Sequence, residues 1–306
     1  MAIDNLIERY IGFITDFAFK RFFGTDANKD LLIDFLNSLL EGKEKILDLT
    51  YKNGECLPEK PVDRKAVFDV YCTTDTGDHF IVEMQNAKQA YFKDRTVYYS
   101  TFPIQQQSKK GDWDYKLDRV YSVNIMNFKF DEKSDSQDND KPQDDEPYRT
   151  DAKIVNLKTN NVFYDKLHFV YIELPKFNKK ANELKTQLDR WIYAIKYLSE
   201  FKNQPPELAG KVFDRLFQIA EIASFTEQEA FEFEESLKEF RDYNNTLKTS
   251  FMEGIEKGKA EGKAEGKAEG EREEKIRNAK RMRDKGYSLE DISEITGLSI
   301  EEIELL

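Results

Sequence analysis

The chain has 306 residues and a mass of 36.0 kDa, enough to bury a sizeable core without staples, and carries 59 acidic against 47 basic side chains for a net charge of −12. Two cysteines and two histidines are too few for a disulfide framework or a zinc cluster, and there is no run of about 18 apolar residues to span a bilayer, so a cytoplasmic protein away from membranes is expected. Residues 131–146 hold eight acids against two lysines and residues 286–306 six acids against none, whereas residues 1–130 are nearly balanced at 18 basic and 20 acidic; the low pI therefore does not exclude a nucleic-acid partner.

Residues 4–23 read as one helix, with Leu6, Ile7, Tyr10, Ile11, Ile14 and Phe17 on one side and Asp16 and Lys20 spaced to pair across a turn. A second helix is predicted over 29–41, with Leu32, Phe35, Leu36 and Leu39 on one stripe and Gly42 as its stop. Strands follow at 46–53, 65–74, 79–86 and 120–128, with a helix near 91–109 between the last two. A hairpin followed by a helical crossover implies an α/β layer with a mixed central sheet flanked by helices.

Segment 131–146, acidic and free of aromatics, reads as a disordered surface loop. KIVNLKT at 153–159 and NVFYDKLHFVYIELPKF at 161–177 read as further strands, the second ending at Pro175, with helices at about 183–200, 206–224 and 227–249. Trp191 recurs at helical spacing with Leu188, Ile192 and Ile195 and is expected in the core. The two histidines, His79 beside a turn and His168 in an apolar run, read as structural.

Gly254, Gly258, Gly262, Gly266 and Gly270 then recur every four residues, with Lys-Ala-Glu between them from Gly258 onward. Each glycine costs a helix about 0.8–1 kcal/mol against alanine, and within the repeat lysine faces lysine and glutamate faces glutamate. The repeat is either a solvated, partly helical linker or a helix whose small-residue stripe lets a second copy approach closely. Residues 273–285 read as a basic helix closed by Gly286, after which Ser288 with Asp291 and Ser299 with Glu302 open two short helices in a helix-turn-helix outline. The last of these has three glutamates and no basic residue, which favours a protein–protein or accessory role and leaves DNA contact to the basic helix before it.

The stretch AVFDVYCTTDTGDHFIVEMQ, 66–85, is the candidate functional hairpin. Alternation sets Asp69 on the face of Val67 and Tyr71 and Glu83 on the face of Ile81 and Gln85, while Phe68, Val70, Phe80, Val82 and Met84 point the other way. Two carboxylates emerging from buried strands need a compensating partner. That partner is a divalent cation shared by both, or the acids lie at the hairpin edge and pair with Arg64 or Lys65.

With these residues in place, the chain resembles the PD-(D/E)XK nuclease superfamily, and within it the bacterial Rpn family of recombination-promoting nucleases, also described as transposases. The resemblance runs through TDFAFKRFFG at 15–24, LLIDFLNSLL at 31–40, FDVYCTTDTGDHFIVEMQ at 68–85, FKDRTVYYST at 92–101, SKKGDWDY at 108–115, VYIELPKF at 170–177 and LDRWIYAIKYL at 188–198, and includes the GKAEG tail. It implies a restriction-endonuclease-like core plus a C-terminal α-helical region. It further implies a Mg²⁺ ion, with Mn²⁺ as a substitute, bound by Asp69, Glu83 and the Met84 carbonyl, and hydrolysis of phosphodiesters in DNA. The family's lysine position falls on Gln85, which cannot supply the positive charge; Lys65, Lys20, Lys93 and Arg95 are the cations able to replace it.

Asp16 is either a further ligand or the partner of Lys20, and Arg95 and Tyr99, one turn apart, are candidates to contact phosphate or orient Gln85. The expected organisation is a nuclease-like core over 1–130, an acidic disordered loop over 131–150, and the remaining strands and helices of the core over 151–250. The repeat at 251–271 follows as linker or helix, and a small helix-turn-helix-like module at 272–306 ends the chain. The expected activity is that of a DNA endonuclease supporting recombination or transposition-like exchange, with a homodimer or higher oligomer formed through the C-terminal helices. The alternatives are a catalytically weak nuclease fold used for DNA binding or assembly, and a nuclease component of phage defence.

Overall fold

The computed structural model describes residues 8–40, 45–52, 54–56, 66–108, 112–130 and 147–306. Arg64, Lys65 and the acidic segment 131–146 lie outside the described residues. The chain divides into two compact units, Met1–Leu237 and Lys238–Leu306.

In the first unit α1 (Asp16–Phe23) and α2 (Lys29–Leu40) precede the strands β1 (Leu49–Tyr51), β2 (Glu55–Cys56), β3 (Ala66–Val67), β4 (Val70–Thr74) and β5 (His79–Gln85). Next come α3 (Phe92–Gln106), β6 (Val120–Met126), β7 (Arg149–Val155) and β8 (Val162–Glu173), followed by α4 (Gln187–Tyr197), α5 (Lys211–Ala220) and the start of α6 (Glu227–Asp284). Six strands form one sheet in the order β1-β4-β5-β6-β8-β7, while β2 and β3 pair separately. β4 and β5 are antiparallel across the Gly77–Asp78 turn, and β5, β6 and β8 are parallel, as a hairpin and a helical crossover require. The α/β class with a mixed sheet is thus the one expected.

One face of the sheet, including Cys72, Phe80, Val82, Val123, Ile125 and Ile172, packs with α1, α2, α4 and α5 into the main core. Trp191 is buried in that core as expected, its Nε1 donating to Asp34 Oδ1 at 2.7 Å. α3 covers the opposite face: Tyr99 and Phe102 lie on Phe68, Tyr71 and Ile81, and Phe92 packs with Met126 and Tyr171. This layering puts the carboxyl ends of β5, β6 and β8 at the same end of the sheet as the start of α3.

Two expectations are corrected. The helix predicted over 4–23 begins only at Asp16, where Thr15 Oγ1 accepts from the Ala18 N–H as N-cap. Residues 4–7 lie outside the described residues, and around Tyr10 the chain pairs with a distant segment instead: Ile11 N–H donates to Ala220 O at 3.0 Å and Ile222 N–H to Arg9 O at 3.0 Å, taking up backbone groups that a local helix would have used. The strand predicted over 65–74 is broken at Phe68 and Asp69. The break resets the alternation, so Phe68 joins Tyr71 and Ile81 beneath α3 rather than sharing a face with Val70.

β8 ends at Glu173, and a 3₁₀ turn, Leu174–Lys176, carries the chain through Pro175. In the second unit α6 continues through the glycine repeat without a break, and α7 (Leu289–Thr296) and α8 (Ile300–Glu304) pack on its end around Ala279, Ile292, Leu298 and Ile303. Ser288 and Ser299 cap these helices as their spacing predicts, each side chain accepting from the backbone N–H three residues on. Two exposed pairs, Lys257–Glu261 and Lys267–Glu271, form at the ends of the repeat where its register shifts; such pairs contribute little.

A Cβ at any of the five repeat glycines would meet nothing within 4 Å. Replacing all five by alanine is expected to raise the tail's helical stability by about 0.8–1 kcal/mol per site, read as a higher melting temperature of the far-ultraviolet helix signal. A lower one would mean that the stripe is closely covered in solution.

Among the described residues no helix is long and apolar enough to cross a membrane.

Candidate active site

The break after β3 decides the site. Released from the ladder, Asp69 turns its carboxylate across to β5, where Oδ2 accepts from the Met84 N–H at 2.9 Å, and the Asp69 N–H in turn donates to Glu83 Oε1 at 3.3 Å. These reciprocal bonds hold two carboxylates side by side. The Met84 carbonyl lies on the same edge of its strand as the Met84 N–H and so faces the same opening.

A cation comes from α3. Arg95 Nη2 donates to Glu83 Oε2 at 3.3 Å, and Nη1 donates to Gln85 Oε1 at 3.0 Å and to Gln89 Oε1 at 2.7 Å. The guanidinium lies over the Tyr99 ring at 4.8 Å, and that ring is wedged against Phe68. Asp69, Glu83, Gln85, Arg95 and Tyr99 are therefore brought together.

Asp16 and Lys20 pair with each other at 2.8 Å and are about half exposed, yet Asp16 is near enough for its charge to raise the Asp69 pKa. Lys93 points elsewhere, its Nζ over the Phe130 ring at 4.6 Å. Lys65, the remaining cation expected from the sequence, lies outside the described residues. His79 shares a hydrogen bond with the Tyr71 hydroxyl, and His168 stacks on Tyr121 at 4.4 Å.

Glu83 is almost fully buried at 5% exposure. Burial pushes its carboxyl up to about 8, with the Asp69 charge adding to the rise and Arg95 opposing it. Burial also raises Asp69, against the hydrogen bond from Met84. With both carboxyls ionised, the Arg95 guanidinium leaves one negative charge uncompensated, since Lys20 is paired with Asp16, and a divalent cation neutralises it.

The donor set fits a hard ion of the Mg²⁺ type, which takes one or two carboxylates and keeps several waters. Among the described residues no group of three or more His, Cys, Asp or Glu side chains offers a fuller protein cage.

Sequence reasoning missed Gln89 and Asn86. Gln89 fixes Arg95 from a loop that carries no periodic signal, and Asn86 ties the end of β5 to the segment before α1 through Nδ2 to Ile14 O at 2.6 Å.

A sequence model of the PD-(D/E)XK nuclease family transposases matches residues 13–250, a span that takes in every element of the first unit's sheet. No curated protein and no solved structure matches the chain.

Proposed function

The chain belongs to the PD-(D/E)XK nuclease family transposases, and from that premise we propose that it is a Mg²⁺-dependent DNA endonuclease whose centre is the Asp69–Glu83 pair. Mg²⁺, or Mn²⁺ in its place, supplies Lewis acidity toward the scissile phosphodiester when bound. Asp69 and Glu83 would hold it, with the Met84 carbonyl as the protein's third group. Gln85 would orient the attacking water through its side-chain carbonyl, a task that needs no charge.

Arg95 performs two tasks. It ties Glu83 and Gln85 together through its forked donors, and it brings to the reacting phosphate the positive charge absent from position 85. Tyr99 holds the guanidinium plane from beneath, and Asp16 and Lys20 stand at the rim.

The observation that carries this reading is the buried Glu83 carboxyl held beside the half-buried Asp69, both with raised pKa values, and with the Arg95 guanidinium bonded to Glu83. The reading includes a cytoplasmic role in recombination or transposition-like exchange. It also includes a homodimer through the C-terminal helices, which would supply the two centres that a double-strand cut requires.

A second reading, a catalytically weak nuclease fold that binds DNA or assembles on it, is favoured by one observation: Gln85 occupies the lysine position and is already engaged by Arg95. Supercoiled plasmid incubated with the protein across Mg²⁺ and Mn²⁺ concentrations separates the two. The first reading expects nicking that rises with metal and stops with chelator. Plasmid bound but intact at every metal concentration selects the second.

A further inference from the structure

The outer face of α3 and the loop beyond it carry aromatic rings that the core does not use. The described residues between 88 and 118 carry seven aromatics and a balanced four basic against four acidic side chains, in a chain of −12. Tyr91 is 82% exposed, Tyr115 79% and Tyr98 45%. Tyr91 and Tyr115 also hold φ at 61° and 59°, a left-handed backbone that is costly for a bulky residue and free for glycine. Neither ring is repaid by burial, so folding stability does not account for a tyrosine at either place.

The exposed rings stand along α3 and in the loop after it. Tyr91 sits at the start of α3, its carbonyl accepting from the N–H of the same Arg95 that reaches Glu83 and Gln85. Tyr98 comes two turns later, edge-on to Phe102 at 5.2 Å. At the far end of α3, Gln107 Oε1 accepts from the Asp118 N–H at 2.6 Å and secures the loop in which the Trp113 and Tyr115 rings lie 4.9 Å apart. Beside them opens a cavity of about 480 Å³ lined by His79, Gln106, Gln107, Trp113, Asp114 and Lys116. The buried Gln107 Nε2 has no hydrogen-bond partner among the described residues.

We propose that these exposed rings form a stacking track for an unpaired nucleic-acid strand leading away from the carboxylate pair, so that the substrate is single-stranded or frayed DNA. The assignment of substrate rests on the reading of that pair as a nuclease site. Exposed rings serve bases whose faces are free, and an intact duplex has its bases stacked on one another and offers mainly phosphates to such a surface. At about 1.5 Å rise per residue α3 is roughly 22 Å long, room for about four to six nucleotides.

Binding of a fluorescent oligothymidylate and of a duplex of equal length, measured on the full chain with chelator present, tests the track. The strand should bind more tightly than the duplex. Tyr91→Gly, Tyr115→Gly and Tyr98→Ala should each weaken strand binding about 5- to 150-fold and change duplex binding by less than about twofold, with Tyr98→Phe retaining affinity. The two glycine variants should melt no lower than the parent, because the strained backbone is relieved.

Equal or tighter binding of duplex, or variants that hold the strand as the parent does, would overturn the proposal. Metal-dependent plasmid nicking alongside unaffected strand binding sinks the track and spares the carboxylate site. Strand binding weakened by these variants in a protein that cuts nothing retains the track and sinks the nuclease reading.

Discussion

Arg95→Ala should lower metal-dependent nicking by about 10²- to 10³-fold, the loss associated with removing one preorganised donor from a developing anion. Asp69→Ala and Glu83→Ala set the floor of the same assay, since each removes half of the carboxylate pair. Arg95→Lys should recover only part of the loss, because an ammonium cannot bond Glu83, Gln85 and Gln89 from one planar fork. The decisive variant is Gln85→Lys. In the parent it places a second cation against Nη1 of Arg95, now 3.0 Å from Gln85 Oε1, and should not raise activity. In Arg95→Ala it returns the charge to the strand and should raise nicking at least about tenfold over the single variant. Additive effects of the two substitutions would show that Arg95 does not stand in for the missing lysine.

The same geometry explains which parts of the molecule were legible in the sequence. The β4–β5 hairpin was readable because Gly77 takes a φ of 91° at its turn and the strands alternate on either side. The capped helices of the second unit were readable because a serine three residues before an acid is a local signal. Asp69 and Glu83 stood out as acids in apolar strands, Gln85 only through the resemblance that puts the family's lysine at its position, and Arg95 and Tyr99 by their one-turn spacing.

What failed depended on distant partners. The segment around Tyr10 is dictated by pairing with Glu221, and no local pattern encodes a contact 211 residues away. Phe68 was assigned to the wrong face because alternation presumes an unbroken strand, and here the break frees Asp69 to reach β5. Gln89 and Tyr91 lie in a loop between periodic elements, where residue type alone gives no position.

Glu83→Gln should stabilise the metal-free protein at alkaline pH, and the size of the gain should track pH in a defined window. With its folded carboxyl raised to about 8 from an ordinary 4.5, Glu83 binds a proton more tightly in the folded than in the unfolded chain. Its contribution is therefore fully present below about pH 4.5 and is lost as pH rises through about 8, at no more than about 1.4 kcal/mol per pH unit.

His79, lowered by burial, acts in the opposite sense: the neutral ring suits the fold, and stability is gained as pH rises through its ordinary value of 6.5. Comparing parent with Glu83→Gln at each pH cancels that opposing trend. In chelator the two should melt together near pH 5 and diverge toward pH 9, the variant higher by roughly 5–10 °C at about 2–4 °C per kcal/mol. Adding Mg²⁺ should raise the parent and leave the variant nearly unmoved, because a cation held by the ionised pair has affinity only for the folded state. Parallel melting curves across this range would remove the uncompensated charge on which the metal-site reading stands, whereas a metal-dependent rise in the parent alone ties that charge to the ion.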